Sequence, residues 1–212
     1  MDPKSTRWKA ITPSHYPWER EALAFVRERL PDREPYRAWS NFEFIAEDGS
    51  INEVDLLLLT PKGFFLIEIK SHPGIVEGDA GTWSWHYKGN IFTDDNPLIL
   101  ANRKAKKLIS LLRRQKSMRK VRSPYLEARV YLAHETNRIQ LPMHVASNVH
   151  VSDRTREEGK QDIPGIVAAV MTWGEGEPEH RRLDRPVAKA VSRAMEEAGI
   201  RPSARARRVL DY

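Results

Sequence analysis

Two apolar segments separated by a short turn constrain the fold of this chain more than any other feature of its sequence. Residues 51–59 and 64–69 are rich in Leu, Ile, Val and Phe, and the turn sequence Thr-Pro-Lys-Gly at 60–63 lies between them. A proline followed two positions later by a glycine is typical of a tight turn, so we predict a β-hairpin. Because both segments are almost continuously apolar, we expect their strands in the centre of a sheet covered on both faces.

Three ionisable residues interrupt this hairpin: Asp55 on the first strand, and Glu68 and Lys70 on the second. A buried charge is unfavourable unless it is paired or bound to a metal ion. Glu68 and Lys70 are two positions apart, so their side chains share one face of the sheet. If the strands pair without a bulge, Asp55 lies opposite Glu68 with Cβ atoms about 5 Å apart. A bulge at Gly63 would shift this register by one residue.

Two carboxylates at such a distance repel each other unless a cation lies between them. Oxygen ligands without His or Cys select Mg²⁺ or Mn²⁺ rather than zinc. Such an ion polarises a phosphoryl oxygen and lowers the pKa of a bound water. Lys70 can orient that water or stabilise negative charge that develops on the phosphate. The alternative is a structural ion pair between Lys70 and one of the two acids.

The remaining apolar patterns predict an α/β domain around the hairpin. We expect a third antiparallel strand region in residues 75–87, where Trp83 and Trp85 are interpreted as strand packing rather than base stacking. Further elements are predicted as helices at 17–30, 96–116, 163–173 and 185–199, and as strands at 36–45, 130–133 and 149–151. The expected fold is a central mixed, mostly antiparallel sheet flanked by helices.

The net charge of +6 is distributed unevenly along the chain. Residues 96–126 contain ten basic residues and no acidic one. A separated block of like charge usually marks an anionic partner, most often nucleic acid, although a solvated helix face is the alternative. We predict contacts to DNA from the basic residues of the long helix: Arg103, Lys104, Lys106, Lys107, Arg113 and Arg114.

Composition excludes several classes of protein. The chain has no cysteine, which excludes disulfides, thiolate zinc sites and thiol nucleophiles. It has neither an 18-residue apolar run nor an apolar N-terminal segment, so we expect a cytoplasmic protein without a membrane partner. Its seven histidines are scattered without metal-ligand spacing and are interpreted as ordinary polar residues.

The hairpin sequence resembles a known family. Glu53-Val54-Asp55 and the stretch from Pro61 to Lys70 resemble the nuclease-related (NERD) domain of the PD-(D/E)XK nuclease superfamily. Further positions follow the pattern of that family in order: Gly74, Gly78, Asp79, Trp83 and Asn96-Pro97. The resemblance covers residues 17–115, and it implies a PD-(D/E)XK nuclease-like sheet with flanking helices. It departs at residues 98–100, where many members carry a Gln and this chain has Leu-Ile-Leu.

The resemblance also implies the roles of site residues. It implies metal ligation by Asp55, by Glu68 and by the backbone carbonyl of Ile69, with catalytic support from Lys70. It implies in addition a glutamate on the first helix that faces the same site, for which we predict Glu21, with Glu19 as the alternative.

Three N-terminal segments, Ser5–Lys9, Pro17–Glu21 and Pro35–Phe42, resemble the N-terminal region of PglW-like serine/threonine kinases of bacterial phage-defence (BREX or Pgl) systems. The chain has no kinase motifs of its own, so we expect a fragment whose partners are a kinase domain and other defence components. We predict an N-terminal arm at 1–16, the nuclease-related domain at 17–180, and a C-terminal helix and linker at 181–212.

Three functional hypotheses follow. The leading one is a Mg²⁺- or Mn²⁺-dependent DNA endonuclease or nickase domain of a phage-defence kinase. The second is a catalytically weak module that binds DNA or a protein partner and positions the attached kinase. The third is a small regulatory α/β domain that does not bind nucleic acid.

Overall fold

Helices cover both faces of a mixed β-sheet, and a smaller second sheet lies beside it. A computed structural model describes residues 1–153, 164–172 and 183–203. Its strands are β1 (Trp8–Ala10), β2 (Arg37–Ile45), β3 (Ile51–Thr60), β4 (Gly63–Lys70), β5 (Ile75–Gly78), β6 (Thr82–Tyr87), β7 (Asn90–Asp95), β8 (Leu126–Leu132), β9 (Arg138–Gln140), β10 (Val149–Val151) and β11 (Arg201–Pro202). Its helices are α1 (Pro17–Arg29), α2 (Pro97–Arg113), α3 (Met143–Ala146), α4 (Ile166–Thr172) and α5 (Arg185–Glu197), with a 3₁₀ helix at Lys116–Lys120.

The predicted hairpin forms the centre of the larger sheet. The strand order is β1-β2-β3-β4-β8-β10, and β11 also pairs with β2. β3 and β4 are antiparallel, with Thr60 opposite Gly63 and Leu56 opposite Ile67. This pairing confirms the register without a bulge. β8 then pairs with β4 in parallel, so the hairpin is flanked by strands on both sides, and the predicted α/β class is confirmed.

The alternation of side chains along the hairpin builds two hydrophobic cores, one on each face of the sheet. Leu57 and Leu66 pack with α2 and α5 on one face. Leu58 and Ile67 pack with α1 and α4 on the other. The sheet is therefore covered on both faces, as the continuous apolar pattern predicts.

Two helices begin where their sequences predict. Pro17 occupies the first turn of α1, where a missing backbone N–H has no consequence, and the helix ends before Pro31. At α2, the side chain of Asn96 accepts a hydrogen bond of 2.9 Å from the backbone N–H of Leu98. That helix ends at Arg113, three residues earlier than predicted.

The prediction that residues 75–87 add a third antiparallel strand to the hairpin is wrong. Residues 75–87 instead belong to a separate four-stranded sheet of order β7-β6-β5-β9. Gly74 lies between the two sheets with a φ of +105°, and a Cβ there would lie 2.1 Å from the carbonyl oxygen of His86. The chain can leave the larger sheet after Lys70 because this position is a glycine. Trp83 and Trp85 are buried in the core under α2, as predicted for strand packing.

The two ends of the described chain pack onto the larger sheet. β1, inside the predicted arm, pairs in parallel with β2. The apolar face of α5 contributes Ala188, Val191 and Met195 to the core. The linker is predicted at Pro202–Arg208; its first two residues are described, and Pro202 pairs with β2, while the rest lies outside the described residues. None of the helices described in the structure is long and apolar enough to cross a membrane.

Candidate active site at the end of the central hairpin

A cavity of about 210 Å³ forms where the strands of the hairpin separate. β3 pairs with β2 at Leu56 and again at Val54, but Asn41, opposite Asp55, has a φ of +53° and interrupts the ladder. The described pairing between β3 and β4 ends at Leu56 and Ile67. Asp55 therefore lies at the point where the sheet opens, and its side chain lines the cavity.

Asp55, Glu68 and Lys70 lie in the same cavity, as the sequence predicts. Asp55 Oδ2 accepts a hydrogen bond of 2.8 Å from the backbone N–H of Ile69. Lys70 Nζ lies 3.8 Å from Glu68 Oε1 and 4.0 Å from Asp94 Oδ2, on β7 of the second sheet. The ammonium group thus lies between a carboxylate of each sheet, and the Lys70 side chain remains about one-fifth exposed to solvent.

The surroundings of Asp55 favour its neutral form. Burial of the carboxyl group and the negative charge of Glu68 raise its pKa to about 8, against the opposing effects of Lys104 and the Ile69 N–H. Without a cation, Asp55 is therefore mostly protonated at neutral pH. A bound cation would reverse this preference, because it attracts the charged form of both acids.

Lys104 is a residue of this site, and the prediction that it contacts nucleic acid from an exposed helix face is wrong. Its side chain is buried, and Nζ lies 2.8 Å from Glu68 Oε2. Position 104 follows Ala101 by three residues and precedes Leu108 by four, so it lies on the buried stripe of α2. That spacing was the signal in the sequence that this lysine faces inward.

The glutamate that α1 contributes to the cavity is Glu19, not Glu21. Glu19 lines the cavity, and its carboxylate accepts a hydrogen bond of 2.6 Å from Ser14 Oγ. Glu21 is exposed. Glu19 precedes the buried Ala22 and Leu23 by three and four residues, whereas a residue next to Ala22 in sequence points about 100° away around the helix.

The remaining basic residues of α2 divide into two groups. Lys107 and Arg114 form salt bridges of 2.8 and 2.7 Å with Asp48 and Glu47, in the turn between β2 and β3. Arg103, Lys106 and Arg113 are exposed, and Arg113 Nε donates to Ser123 Oγ at 3.0 Å. Four of the five lie on α2, the helix that carries Lys104 to Glu68, and Arg114 is the C-cap residue of that helix.

The donor atoms of the cavity suit a hard divalent cation. The carbonyl of Lys70 accepts from the N–H of Ala133, the residue after β8, so the preceding carbonyl, that of Ile69, points towards β3 and Asp55. Two carboxylates and one carbonyl are sufficient for Mg²⁺, which keeps several waters in protein sites. In the described part of the chain, no group of three or more His, Cys, Asp or Glu side chains is placed to hold a metal ion.

The chain is similar to a known domain family and to a probable kinase. The family model of the nuclease-related domain matches residues 14–133. Over 198 residues the chain is 35% identical to the "Probable kinase PglW" of Streptomyces coelicolor, a match that covers 93% of this chain and 12% of that protein. The chain thus spans about one-eighth of the length of this relative. No solved structure matches the chain.

Proposed function

Because the chain belongs to the nuclease-related domain family, we propose that it hydrolyses phosphodiester bonds of DNA with the help of Mg²⁺ or Mn²⁺. The observation that supports this function is the convergence of Asp55, Glu68 and Lys70 in one cavity at the open end of a buried hairpin. Such a set combines two oxygen donors for a cation with a positive charge for the phosphate.

In the proposed site, Asp55, Glu68 and the Ile69 carbonyl hold the ion. When bound, the ion supplies a water of lowered pKa and polarises the phosphate. Lys70 donates a hydrogen bond to the attacking water or to a phosphate oxygen, where negative charge increases in the transition state. Lys104 holds the Glu68 carboxylate in place through Oε2, which leaves Oε1 available for ligation.

DNA is the proposed substrate because of the exposed cations on the helix that also carries Lys104. Arg103, Lys106 and Arg113 lie on the exposed side of α2, and Lys104, on the same helix, reaches the site. Cations in this position bind phosphates without reading sequence, so they position a strand rather than select a base.

A plasmid-nicking assay with Mg²⁺ or Mn²⁺ tests the proposal. We expect relaxation of supercoiled plasmid by the wild-type chain, and a rate lower by on the order of a hundredfold or more for Asp55→Ala and Lys70→Ala. Equal rates for the wild type and both variants would assign the nicking to a contaminant and refute the proposal.

A matched pair of substitutions on α1 tests the position of the helix-borne carboxylate. Glu19→Gln should reduce the rate by roughly 10–100-fold, because Glu19 lines the cavity and outer groups of metal sites have effects of this size. Glu21→Gln should have the rate of the wild type, because Glu21 is exposed. The reverse result would return the role to Glu21.

A second candidate function is binding without catalysis. The observation that favours it is the salt bridge of Lys104 with Glu68, which satisfies that carboxylate without a cation. In this case the chain would retain DNA or a protein partner and position a second domain. DNA binding that is unchanged by a metal chelator, together with the absence of nicking, would support this alternative.

We also propose that the chain works beside a kinase domain in a longer protein, as part of a phage-defence system. The support is its 35% identity to a probable kinase over 12% of the length of that protein. Co-purification of the chain with a separately expressed kinase region of the same protein would test the association. Independent elution of the two pieces would contradict it.

A further inference from the structure

Two pairs of stacked aromatic rings reach the carboxylate cavity. Tyr16 and Trp18, at the start of α1, stack with ring centroids 5.2 Å apart and an interplanar angle of 22°. His72, just after β4, stacks on Phe92 of β7 with centroids 4.0 Å apart and an angle of 24°. Tyr16, Trp18 and His72 line the cavity that contains Asp55 and Glu68.

One ring of each pair keeps an open surface. Trp18 is 39% exposed and Phe92 is 44% exposed, whereas Trp85, which faces Phe92 across the β6–β7 pair, is 1% exposed. A ring that serves only packing is buried, as Trp85 is. Trp18 and Phe92 are instead held in place by a stacked neighbour while the rest of the ring meets solvent.

The position of β7 places Phe92 beside the reacting groups. Phe92 and Asp94 are two residues apart on this strand, so their side chains lie on the same face. Asp94 Oδ2 is 4.0 Å from Lys70 Nζ, and His72, which contacts Phe92, is two residues beyond Lys70. If a phosphate of the strand binds at Lys70, the base of that nucleotide or of the next one can therefore reach the Phe92 ring.

We propose that the site takes single-stranded DNA, with unpaired bases stacked on Trp18 and Phe92. This inference rests on the proposed nuclease function and specifies its substrate class. Bases in a duplex are paired and stacked on each other, so their faces cannot contact protein rings unless the strand opens. An unpaired strand offers a flat ring at every nucleotide, and stacking on aromatic side chains tolerates any sequence.

Binding measurements without divalent ions separate this inference from hydrolysis. Fluorescence anisotropy compares three labelled probes: a mixed-sequence single strand, the same strand annealed to its complement, and a strand of equal length with abasic sites. The single strand should bind at least about tenfold more tightly than the other two, because only it offers unpaired rings. Equal affinity for the normal and abasic strands would overturn the inference.

Variants of the exposed rings supply the second measurement. Trp18→Ala and Phe92→Ala should each weaken binding of the single strand by roughly fivefold or more, and should change duplex affinity by less than about twofold. Ile91→Ala is the matched control, because Ile91 is 65% exposed and alternates to the opposite face of β7. Wild-type affinity in both ring variants would overturn the inference.

The two proposals can fail separately. Ring-dependent binding of single strands, without cleavage of either plasmid or the labelled single strand in Mg²⁺ or Mn²⁺, refutes hydrolysis and supports this inference. Nicking of plasmid with ring-independent binding supports hydrolysis and refutes this inference.

Discussion

The carboxyl group of Asp55 titrates in a pH range where most aspartates are already ionised. Burial and the neighbouring Glu68 raise its pKa to about 8, above the usual value near 4 in an unfolded chain. Between these two values the folded state binds a proton that the unfolded state has released. The contribution of Asp55 to the free energy of unfolding therefore falls as pH rises from about 4 to about 8.

This linkage predicts the pH dependence of the metal-free chain. Urea unfolding in a chelator should give a free energy of unfolding that declines across this interval, and Asp55→Asn should flatten the decline because the amide does not titrate. Addition of Mg²⁺ to the wild type should also reduce the decline, since a cation stabilises the charged carboxylate. Parallel pH profiles for the wild type and Asp55→Asn would contradict the assignment.

The buried salt bridge of Lys104 with Glu68 leads to a second prediction. Lys104→Met should lower the free energy of unfolding by about 3 kcal/mol, because it removes the closer of the two lysines paired with the buried carboxylate of Glu68. Excess Mn²⁺ should restore part of this loss if a cation can replace the ammonium group. The measurement is chemical denaturation with and without the ion.

The control for this prediction is another lysine on the same helix. Lys107 forms a partly exposed pair with Asp48, so Lys107→Met should change stability by no more than about 1 kcal/mol. Equal losses for both variants would mean that the Lys104 pair contributes no more than a surface pair.

At the residue scale, sequence predicted the chemical core of the candidate site but misplaced residues on both helices. Asp55, Glu68 and Lys70 could be placed together because they belong to one hairpin whose register a short turn determines. The inward positions of Glu19 and Lys104 follow from their spacing to buried residues on the helix, which charge and adjacency in sequence do not reveal. The stacked partners His72 and Phe92 could not be predicted, because they belong to different strands of a sheet whose position the sequence did not reveal.

At the scale of elements, local sequence patterns predicted individual helices and the hairpin correctly, whereas the pairing between strands distant in sequence was predicted incorrectly. The hairpin, α1 and α2 follow from patterns within about twenty residues and from proline or asparagine at helix starts. The parallel pairing of β4 with β8 joins segments separated along the chain by β5, β6, β7 and α2. Apolar periodicity carries no information on which strand pairs with which, so the partner of β4 was predicted incorrectly.

Gly74 gives a prediction at this scale, because it separates the two sheets. Gly74→Ala combines a positive φ with a Cβ only 2.1 Å from the His86 carbonyl oxygen, so we expect a loss of stability of about 3 kcal/mol. Gly89→Ala is the matched control, since its φ is also positive at +80° but nothing lies within 4 Å of the added Cβ. That variant should lose only about 1 kcal/mol in the same urea titration. Equal losses of stability in the two variants would contradict a steric role for Gly74.

At the scale of the whole molecule, the excess of positive charge predicts a salt-dependent affinity for DNA. Each exposed cation that contacts a phosphate adds about one to the slope of log affinity against log salt concentration. Arg103→Ala and Lys106→Ala should each reduce this slope by about one. Arg114→Ala should reduce it less, because Arg114 is paired with Glu47 at 2.7 Å. Unchanged slopes in all three variants would place the DNA elsewhere on the protein.

The break in the β2–β3 ladder at Asn41 and Asp55 bears on which amino-acid substitutions this molecule can tolerate. The ladder resumes on both sides of the gap, at Ser40 with Leu56 and at Phe42 with Val54, so the pairing of β2 with β3 continues without a bond between Asn41 and Asp55. The candidate reactive group of Asp55 and the β2–β3 pairs on either side of it therefore lie at different positions of the same strand. Such a scaffold can lose, exchange or reacquire its reactive groups over evolutionary time while the surrounding sheet stays intact.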